Sequence, residues 1–410
     1  MKNIRRARRL MSLGLLLTVM GNRIVEGGFD GYAAASLISV PIVVLVGSLG
    51  ELVVLLFPLY ARLLRNISPN NALIGADALE VVLSALAVVG VLCFSQQAHI
   101  WVLGYVLIDL FIAPVSDIAD EFYGEGIASH SQDDALAFNA SVDSLLAFFG
   151  FVVLAPLGAT LAGVSTVTLL LVNCALSAAS VGMRFQSRQD FQIPPPKDAD
   201  TEEFSVLGET TPIAQFLHDL LTSGPASPLV TFFLQVSGAL TGQLLFIWVA
   251  RQSHWDTYQS MSAVLIEFGL AATVGPQLGR LAAKRFSTAA ILRLASVASF
   301  LLTAGFALLV YRGFNAFAAC LLFVFITVIL KRLRLTVLNT HRQVFFSGKQ
   351  FSRIMSWSYS FGALGTLAGL QLGYFVGITT APFTALVCSA VIWLGVSFIN
   401  VSQHTRLAAS

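Results

Sequence analysis

The sequence predicts an all-α integral membrane protein with about 12 transmembrane helices arranged as two six-helix bundles. Three observations lead to this fold class. Hydrophobic residues make up 56% of the 410 residues and charged residues 11%, whereas a soluble domain carries roughly 25% charged residues. Apolar stretches of about 20 residues, the length that crosses a bilayer, recur along the whole chain. One long polar segment, residues 186–226, divides them into two sets.

Twelve predicted spans follow from these apolar stretches. In the first half they are 9–33, 37–60, 71–94, 99–119, 136–160 and 164–185, and in the second half 227–250, 257–282, 288–311, 314–336, 350–376 and 379–401. The basic N-terminus and the apolar run after it are also typical of a secretory signal, but no small-residue cleavage site follows. We therefore interpret this segment as an uncleaved first span.

The polar segment between the two sets is interpreted as a linker. The chain then has an N-terminal six-helix bundle over 1–185, a cytoplasmic linker over 186–226 and a C-terminal six-helix bundle over 227–410. Within the linker, Thr211 followed by Pro212 is typical of a helix start. The apolar residues that follow recur on one helical face, which predicts a short amphipathic helix.

Basic residues in the short loops predict the orientation, because cytoplasmic loops carry an excess of Lys and Arg. Five of the first nine residues are Lys or Arg, which places the N-terminus in the cytoplasm. Basic residues also follow spans two, six, eight and ten, at Arg62, Arg65, Arg184, Arg188, Arg280, Lys284, Arg285, Arg342, Lys349 and Arg353. We expect a multi-pass protein of the bacterial inner membrane with both termini in the cytoplasm.

Several classes of function lack their sequence signals. The four cysteines are scattered through apolar runs, which suggests neither a disulfide framework nor a zinc site. The six histidines show no metal-ligand spacing, and no nucleophile elbow or nucleotide-binding glycine loop is present. A formal net charge of +2 does not suggest nucleic acid binding. We expect a protein that is not an enzyme, with no cofactor, no metal and no nucleic acid partner.

The two halves contain a weak internal repeat. FPLYAR at 57–62, after span two, is similar to GRLAAK at 279–284, after span eight. APLGATLAG at 155–163 is similar to GALGTLAGLQLG at 362–373. Chance similarity of apolar sequence is the alternative explanation, but repeated halves are common in transporters.

The twelve spans, the mid-chain linker and the basic turns after spans two and eight together resemble the major facilitator superfamily over essentially the whole chain. That family's signature turn is G-x-L-x-D-R-x-G-R-R, and FPLYARLLRN matches it at Leu59 and Arg62. Phe57 and Ala61 replace the glycine and the aspartate, so the charge lock of the family is not implied here. The turn GRLAAKRF keeps the glycine, the leucine and a basic residue, Lys284.

Two further motifs bear on this resemblance. Many exporters of the family have a glycine-rich fifth span, and Gly150, Pro156 and Gly158 resemble that pattern loosely. This implies export as the direction. The buried arginine of the family's fourth span has no counterpart, because Asp109 stands in its place.

Ionisable side chains within apolar spans are the principal candidates for function, because they are costly to place in a bilayer. Most of them here are acidic: Glu26, Glu51, Asp77, Glu80, Asp109, Asp143 and Glu267. Burial raises the pKa of a carboxyl group in general, which suits a group that gains and loses a proton in each cycle. We therefore predict coupling to a proton gradient.

The first span supplies the preferred substrate site. Its segment GNRIVEGGFDG places Asn22, Arg23, Glu26 and Asp30 among glycines, which suggests an interrupted helix next to a central cavity. Arg23 and Glu26 are also spaced i, i+3, so a simple ion pair is an equal alternative. In the second half, Gln235 and Gln243 line the cavity or pack between helices.

Other charged residues suggest ion pairs that are structural or that act as gates. Asp77 lies near the basic turn at Arg62 and Arg65, which favours a structural pair. Asp143 is a candidate partner for the basic residues of span ten. The full set of these residues is Arg62, Asp77, Asp143, Lys284, Lys331, Arg332 and Arg334.

These features predict a secondary active transporter that exports a small cationic or amphipathic solute by alternating access, driven by protons. We expect it to act as a monomer with the solute, protons and membrane lipid as its partners. Glu26, Glu51, Glu80, Asp109 and Glu267 are the coupling or binding candidates. A metal-ion or siderophore transporter of the same fold is one alternative, with oxygen ligands suited to hard ions. A non-transporting membrane receptor or scaffold is another.

Overall fold

Helices make up all regular secondary structure in the described part of the chain, which a computed structural model gives as residues 2–64, 66–128, 146–195, 224–345 and 348–399. The first half contains α1 (Lys2–Ala34), α2 (Val40–Leu55), α3 (Phe57–Leu64), α4 (Pro69–Cys93), α5 (Ala98–Ala128), α6 (Ala155–Val164) and α7 (Thr166–Asp190). A π-helical segment, Leu146–Leu154, leads into α6. The second half contains α8 (Pro228–Leu240), α9 (Gln243–Ala250), α10 (Thr257–Ala283), α11 (Thr288–Tyr311), α12 (Phe317–Phe345), α13 (Gly348–Phe375) and α14 (Phe383–Ser397).

The helices confirm the all-α membrane fold class, and each predicted span coincides, in its described part, with one helix or with two in succession. Within the described residues, six helical segments are long and apolar enough to cross a membrane, one of which, Pro228–Ala250, combines α8 and α9: Pro69–Cys93, Ser95–Asp120, Thr166–Asp190, Pro228–Ala250, Thr257–Ala283 and Thr288–Tyr311. Shorter apolar helices are Val40–Leu55, Phe148–Val164 and Phe383–Ser397. The predicted amphipathic helix of the linker lies outside the described residues.

Serine residues begin several of these helices. The side chains of Ser165, Ser227 and Ser287 each accept a hydrogen bond from a backbone N–H in the first turn of the helix that follows. Ser227 is followed by a proline at the first helical position, where the missing N–H has no intrahelical partner to lose. These caps explain why the observed starts of α7, α8 and α11 lie within two residues of the predicted ones.

The seventh span is not the continuous helix that the sequence predicts. α8 ends at Leu240, and α9 begins at Gln243 after a two-residue break. Thr241 and Gly242 occupy the break, and both are weak helix formers. The hydroxyl group of Thr241 donates a hydrogen bond to the Ser237 carbonyl at 2.9 Å, so the end of α8 is partly satisfied by its own chain.

The chain divides into two compact units. The first consists of residues 1–39, 53–199 and 255–269, and the second of 40–52, 200–254 and 270–410. Two helices, α2 and α10, therefore contribute residues to both units. Every other helix of the described chain falls within a single unit.

Corresponding helices pack together in the two units. In the first unit the major pairs are α1 with α7, α4 with α7, α1 with α6, and α4 with α5. In the second unit they are α8 with α14, α11 with α14, α8 with α13, and α11 with α12. If the six spans of each half are numbered one to six, the same pairs pack together in both halves: one with six, three with six, one with five and three with four. This shared pattern supports the internal repeat seen in the sequence.

Two glycines of the repeated segments allow close helix contacts. A Cβ atom added to Gly158 on α6 would lie 1.9 Å from the carbonyl oxygen of Ile24 on α1. A Cβ atom added to Gly365 on α13 would lie 2.3 Å from the carbonyl oxygen of Phe232 on α8. Because both atoms would meet rigid backbone, only glycine fits at either position.

Replacing Gly365 by Ala is therefore expected to separate α8 from α13 and to lower the stability of the protein by about 1–3 kcal/mol, as for other overpacked cores. Gly395→Ala is the matched control, since a Cβ atom there meets nothing within 4 Å. Thermal unfolding of the purified protein in detergent measures both effects. Equal melting temperatures for the two variants would contradict the close contact.

The helices of the first unit place polar side chains inside and apolar side chains outside. On α4, Val82, Leu86 and Val89 are 53%, 59% and 56% exposed. On the same helix, Asp77 and Glu80 are 0% exposed. Such an arrangement suits lipid surroundings, where the outer surface must be apolar and intramembrane polar groups face the bundle interior.

Candidate functional site

The buried face of α7 is polar along most of its length. Asn173, Ser177, Ser180, Arg184 and Ser187 are spaced by four, three, four and three residues, and each is 0% exposed. This spacing places all five side chains on one side of the helix. Helices α1 and α4 pack against this side.

Asp77 and Arg184 form an ion pair in this interior. The Nε atom of Arg184 lies 3.0 Å from Oδ2 of Asp77, and both side chains are completely buried. Thr18 donates a hydrogen bond to Oδ1 of Asp77 at 3.0 Å, and the hydroxyl group of Ser180 contacts Oδ2. Side chains from α1 and α7 therefore hold the carboxylate group of α4.

Glu80 lies one helical turn from Asp77 but has a different environment. Ser177 donates a hydrogen bond to its Oε2 at 3.3 Å, and the amide group of Asn22 lies 3.5 Å from its Oε1. Tyr105 on α5 in turn donates to the side-chain oxygen of Asn22 at 3.1 Å. The groups that donate hydrogen bonds to Glu80 are therefore neutral, and no cation lies within 4.0 Å of it among the described side chains.

Helix α5 brings two more carboxyl groups to the same interior. Asp109 and Asp120 each have a buried Oδ1 atom without a hydrogen-bond partner among the described residues. The hydroxyl group of Ser116 is also buried without such a partner. We refer to the buried and half-buried polar side chains that α1, α4, α5 and α7 bring together as the polar cluster. It comprises Thr18, Asn22, Asp77, Glu80, Tyr105, Asp109, Ser116, Asp120, Asn173, Ser177, Ser180 and Arg184.

Charge is unbalanced in the polar cluster. Four carboxyl groups share the interior with one guanidinium group, and only Asp77 forms an ion pair with it. An unpaired charge in a low-dielectric interior is strongly unfavourable, so such groups become neutral instead. For a carboxyl group, neutrality means a bound proton.

Two glycines of α1 make room for the polar cluster. A Cβ atom on Gly14 would lie 2.8 Å from Cγ of Arg184, and one on Gly21 would lie 2.2 Å from Oδ1 of Asn173. The seven-residue spacing places both glycines on the face of α1 that packs against α7. Close approach of these two helices thus depends on the absence of side chains at Gly14 and Gly21.

The segment GNRIVEGGFDG does not interrupt the first span. α1 is helical from Lys2 to Ala34, and the glycines of this segment serve close packing instead, since a Cβ atom on Gly27 would lie 1.9 Å from the Ala155 carbonyl oxygen. Arg23 and Glu26 form the i, i+3 ion pair that was one alternative from the sequence. Asp30, on the same helix, is half-buried.

Two sequence predictions about basic residues are wrong. Arg184 was expected in a loop after span six, but it lies within α7 and is 0% exposed. The partner of Asp77 is consequently Arg184 and not Arg62, whose side chain is exposed. Lys284 is exposed as well. Asp143 lies outside the described residues, so its pairing with span ten stays a prediction.

The basic residues of span ten have partners within the second unit. Lys331 contacts the hydroxyl group of Thr241 and lies 3.5 Å from the Gly238 carbonyl oxygen at the end of α8. The partial negative charge at the C-terminus of α8 offsets part of the cost of placing a cation there. Arg334 donates from Nε to Ser296 at 3.3 Å and lies 5.9 Å from the Trp393 ring centre. Arg332 is half-buried beside them.

The remaining candidates are more exposed. Glu51 and Glu267 are half-buried, Gln235 is exposed, and Gln243 begins α9 at the break in span seven. The candidates that the structure brings together are therefore Asn22, Asp77, Glu80 and Asp109, all in the first unit. The sequence analysis missed the side chains of α7 that contact these residues. The regular recurrence of Ser and Asn on one face of that helix could have indicated them.

Known structures share the fold of this chain. The nucleoside transporter NupG, in a mutant form, matches with a TM-score of 0.70 at 13% identity, covering 96% of this chain and 98% of that one. A D-xylose–proton symporter matches with a TM-score of 0.69 at 12% identity, covering 97% of each chain. A bacterial homologue of the iron transporter ferroportin matches with a TM-score of 0.66 at 13% identity, covering 96% and 99%.

No family model matches the sequence, and a search of curated proteins finds no match. The structural similarity extends over nearly the full length of the chain and of each of these transporters. The chain therefore has the fold of the major facilitator transporters.

Proposed function

We propose that this chain is a proton-coupled secondary transporter that exports a small organic cation or amphipathic solute across the bacterial inner membrane. Its fold supports transport, since the similar structures are a nucleoside transporter, a D-xylose–proton symporter and a bacterial homologue of the iron transporter ferroportin. The observation that carries the proton coupling is the charge imbalance of the polar cluster. Four carboxyl groups that are buried or half-buried, with one guanidinium group among them, support binding of protons at this site.

Glu80 and Asp109 are the proposed proton-binding residues. Neither forms an ion pair among the described side chains, and both belong to the polar cluster. A carboxyl group that releases its proton leaves a negative charge behind, which is unfavourable in the interior until another cation or proton arrives. This requirement favours an organic cation as the solute and links its movement to that of the proton.

Transport by the purified protein in liposomes tests this proposal. Ethidium serves as the organic cation, and an imposed pH gradient drives the reaction. We expect ethidium to move against its concentration gradient in the direction opposite to the proton. Mn²⁺ in a parallel experiment tests the metal-ion alternative. Movement of Mn²⁺ without movement of ethidium would contradict the proposed solute class, and movement of neither would contradict transport of small cations altogether.

The proposed orientation has both termini in the cytoplasm, and the proposed functional form is a monomer. Basic residues near the N-terminus and after alternate spans support the orientation. Arg184 does not support this orientation, because it is buried within α7 and does not lie in a loop. Arg188, one turn further along α7, remains exposed and supports the same orientation.

A further inference from the structure

Arg184 has buried hydrogen-bond donors that are not used. Its Nε atom lies 3.0 Å from Oδ2 of Asp77 as an ion pair, but none of Nε, Nη1 and Nη2 forms a hydrogen bond among the described residues. Asp120 on α5 likewise has a buried polar atom that forms no hydrogen bond in the described part of the chain, in this case an acceptor. Its Oδ1 atom is buried without a partner, and it interacts electrostatically with Arg184. One guanidinium group thus interacts with two carboxyl groups: it forms an ion pair with Asp77 and an electrostatic interaction with Asp120.

We propose that Arg184 alternates between Asp77 and Asp120 and that a proton moves the opposite way, so that Asp120 is a proton-binding residue of this chain in addition to Glu80 and Asp109. In the state described here, Arg184 pairs with ionised Asp77, and Asp120 holds a proton on its carboxyl group. In the other state, Arg184 pairs with ionised Asp120, and Asp77 holds the proton. This exchange would serve the proton coupling of the proposed function.

The exchange conserves charge. The O–H bond of Asp120 breaks and an O–H bond of Asp77 forms, while the guanidinium group keeps its positive charge throughout. Each state therefore contains one ion pair and one neutral carboxyl group. Neither state leaves an unpaired charge in the interior, which is the arrangement that would be most unfavourable there.

The surroundings of the two carboxyl groups permit such an exchange. The titratable and charged side chains that face them are Glu80 on α4, Asp117 and Tyr123 on α5, and Arg184 on α7, with Arg8 of α1 next to Tyr123. Arg184 interacts electrostatically with both Asp77 and Asp120, so one cation is shared by the two carboxyl groups.

The two carboxyl groups also lie at different depths of the first unit. Next to Asp120, Ile118, Ala119 and Tyr123 pack with Met11 and Leu73, near the end where α1 begins. Asp77 contacts Thr18, which lies two turns further along α1. The exchange would therefore carry a proton between that end of the unit and the interior, where Glu80 lies.

Infrared absorption of protonated carboxyl groups tests the exchange on the full-length protein in lipid, without any solute. The part of the C=O absorption of protonated carboxyl groups that belongs to Asp120 should be lost in Asp120→Asn and kept in Asp256→Asn, which removes an exposed carboxyl group outside the polar cluster. Asp77→Asn provides the decisive comparison. Because Arg184 would then pair with Asp120, this variant should fold and should lack the same absorption as Asp120→Asn.

Three results would overturn the exchange. The first is an Asp77→Asn protein that keeps the Asp120 absorption, and the second is one that fails to fold, because Asp120 should take over the ion pair. The third is the absence of any Asp120 absorption in the unmodified protein. Since the measurement needs no solute, normal infrared results with no ethidium transport would contradict the proposed function alone.

The space beside Gly14 offers a second test. A Cβ atom there would lie 2.8 Å from Cγ of Arg184, so Gly14→Ala should restrict the movement of the guanidinium group. In the Gly14→Ala/Asp77→Asn double variant, the Asp120 absorption should return. Gly182→Ala/Asp77→Asn is the control, because a Cβ atom on Gly182 meets nothing within 4 Å. The same absorption in both double variants would contradict movement of Arg184 past Gly14.

Discussion

Replacing Arg184 by Gln is expected to lower the free energy of unfolding by about 3–5 kcal/mol, the cost of removing one partner from a buried ion pair. The variant would leave Asp77 in the interior with only Thr18 and Ser180 as hydrogen-bond donors. Those two hydroxyl groups do not supply a compensating charge. Thermal unfolding in detergent and the amount of folded protein in membranes measure the effect.

Arg188→Gln is the matched control for this prediction. Arg188 is one turn further along the same helix, and its side chain is exposed. Exposed charges contribute about 0–1 kcal/mol, so this variant should unfold near the temperature of the unmodified protein. Similar melting temperatures for Arg184→Gln and Arg188→Gln would mean that the buried pair contributes nothing to stability.

Replacing Glu80 by Gln is expected to abolish accumulation of ethidium driven by a pH gradient. Gln has nearly the same shape and keeps hydrogen bonds to Ser177 and Asn22, but it does not release a proton. Exchange of ethidium at equal concentrations on both sides should continue, because that exchange requires no net proton movement. The two assays together separate a loss of coupling from a loss of folding.

Asp256→Asn is the control for Glu80→Gln, since it removes an exposed carboxyl group that does not belong to the polar cluster. Both of its activities should remain near those of the unmodified protein. If Glu80→Gln accumulates ethidium as fully as the unmodified protein under a pH gradient, Glu80 does not take part in proton coupling. Loss of both activities would instead assign it to solute binding or to folding.

The fold followed from the sequence because hydropathy alone determines which segments enter a bilayer. Helix α11 covers Thr288–Tyr311, as predicted, and α4 begins at Pro69, two residues before the predicted start. The break between α8 and α9 was not predicted. Thr241 and Gly242 lie within a segment that is apolar enough to span a membrane over its whole length. Hydropathy therefore does not predict where the helix is interrupted.

The candidate site followed only in part. Asp77, Glu80 and Asp109 were identified because carboxyl groups are rare within apolar spans. Arg184 was missed because a basic residue near the end of a span also fits a cytoplasmic loop, and the distinction depends on which face of α7 meets α1. Asp120 was missed for a similar reason, since it follows the predicted end of span four although α5 continues to Ala128.

The serine residues of α7 show a different limit. Ser177 and Ser180 donate hydrogen bonds to carboxyl groups of α4. Serine is common both in helix packing and in polar sites, so its presence in an apolar span does not separate the two roles. Only the position of the acceptor in space assigns these side chains to the polar cluster.

The dependence of ethidium flux on the pH gradient tests the central claim most directly. In liposomes that contain the unmodified protein, the ethidium gradient at which net flux is zero is measured at several imposed pH differences. Proton coupling predicts that this balance point shifts with the pH difference, and that the shift disappears in Glu80→Gln. A balance point that stays at equal ethidium concentrations, whatever the pH difference, would contradict coupling through the polar cluster.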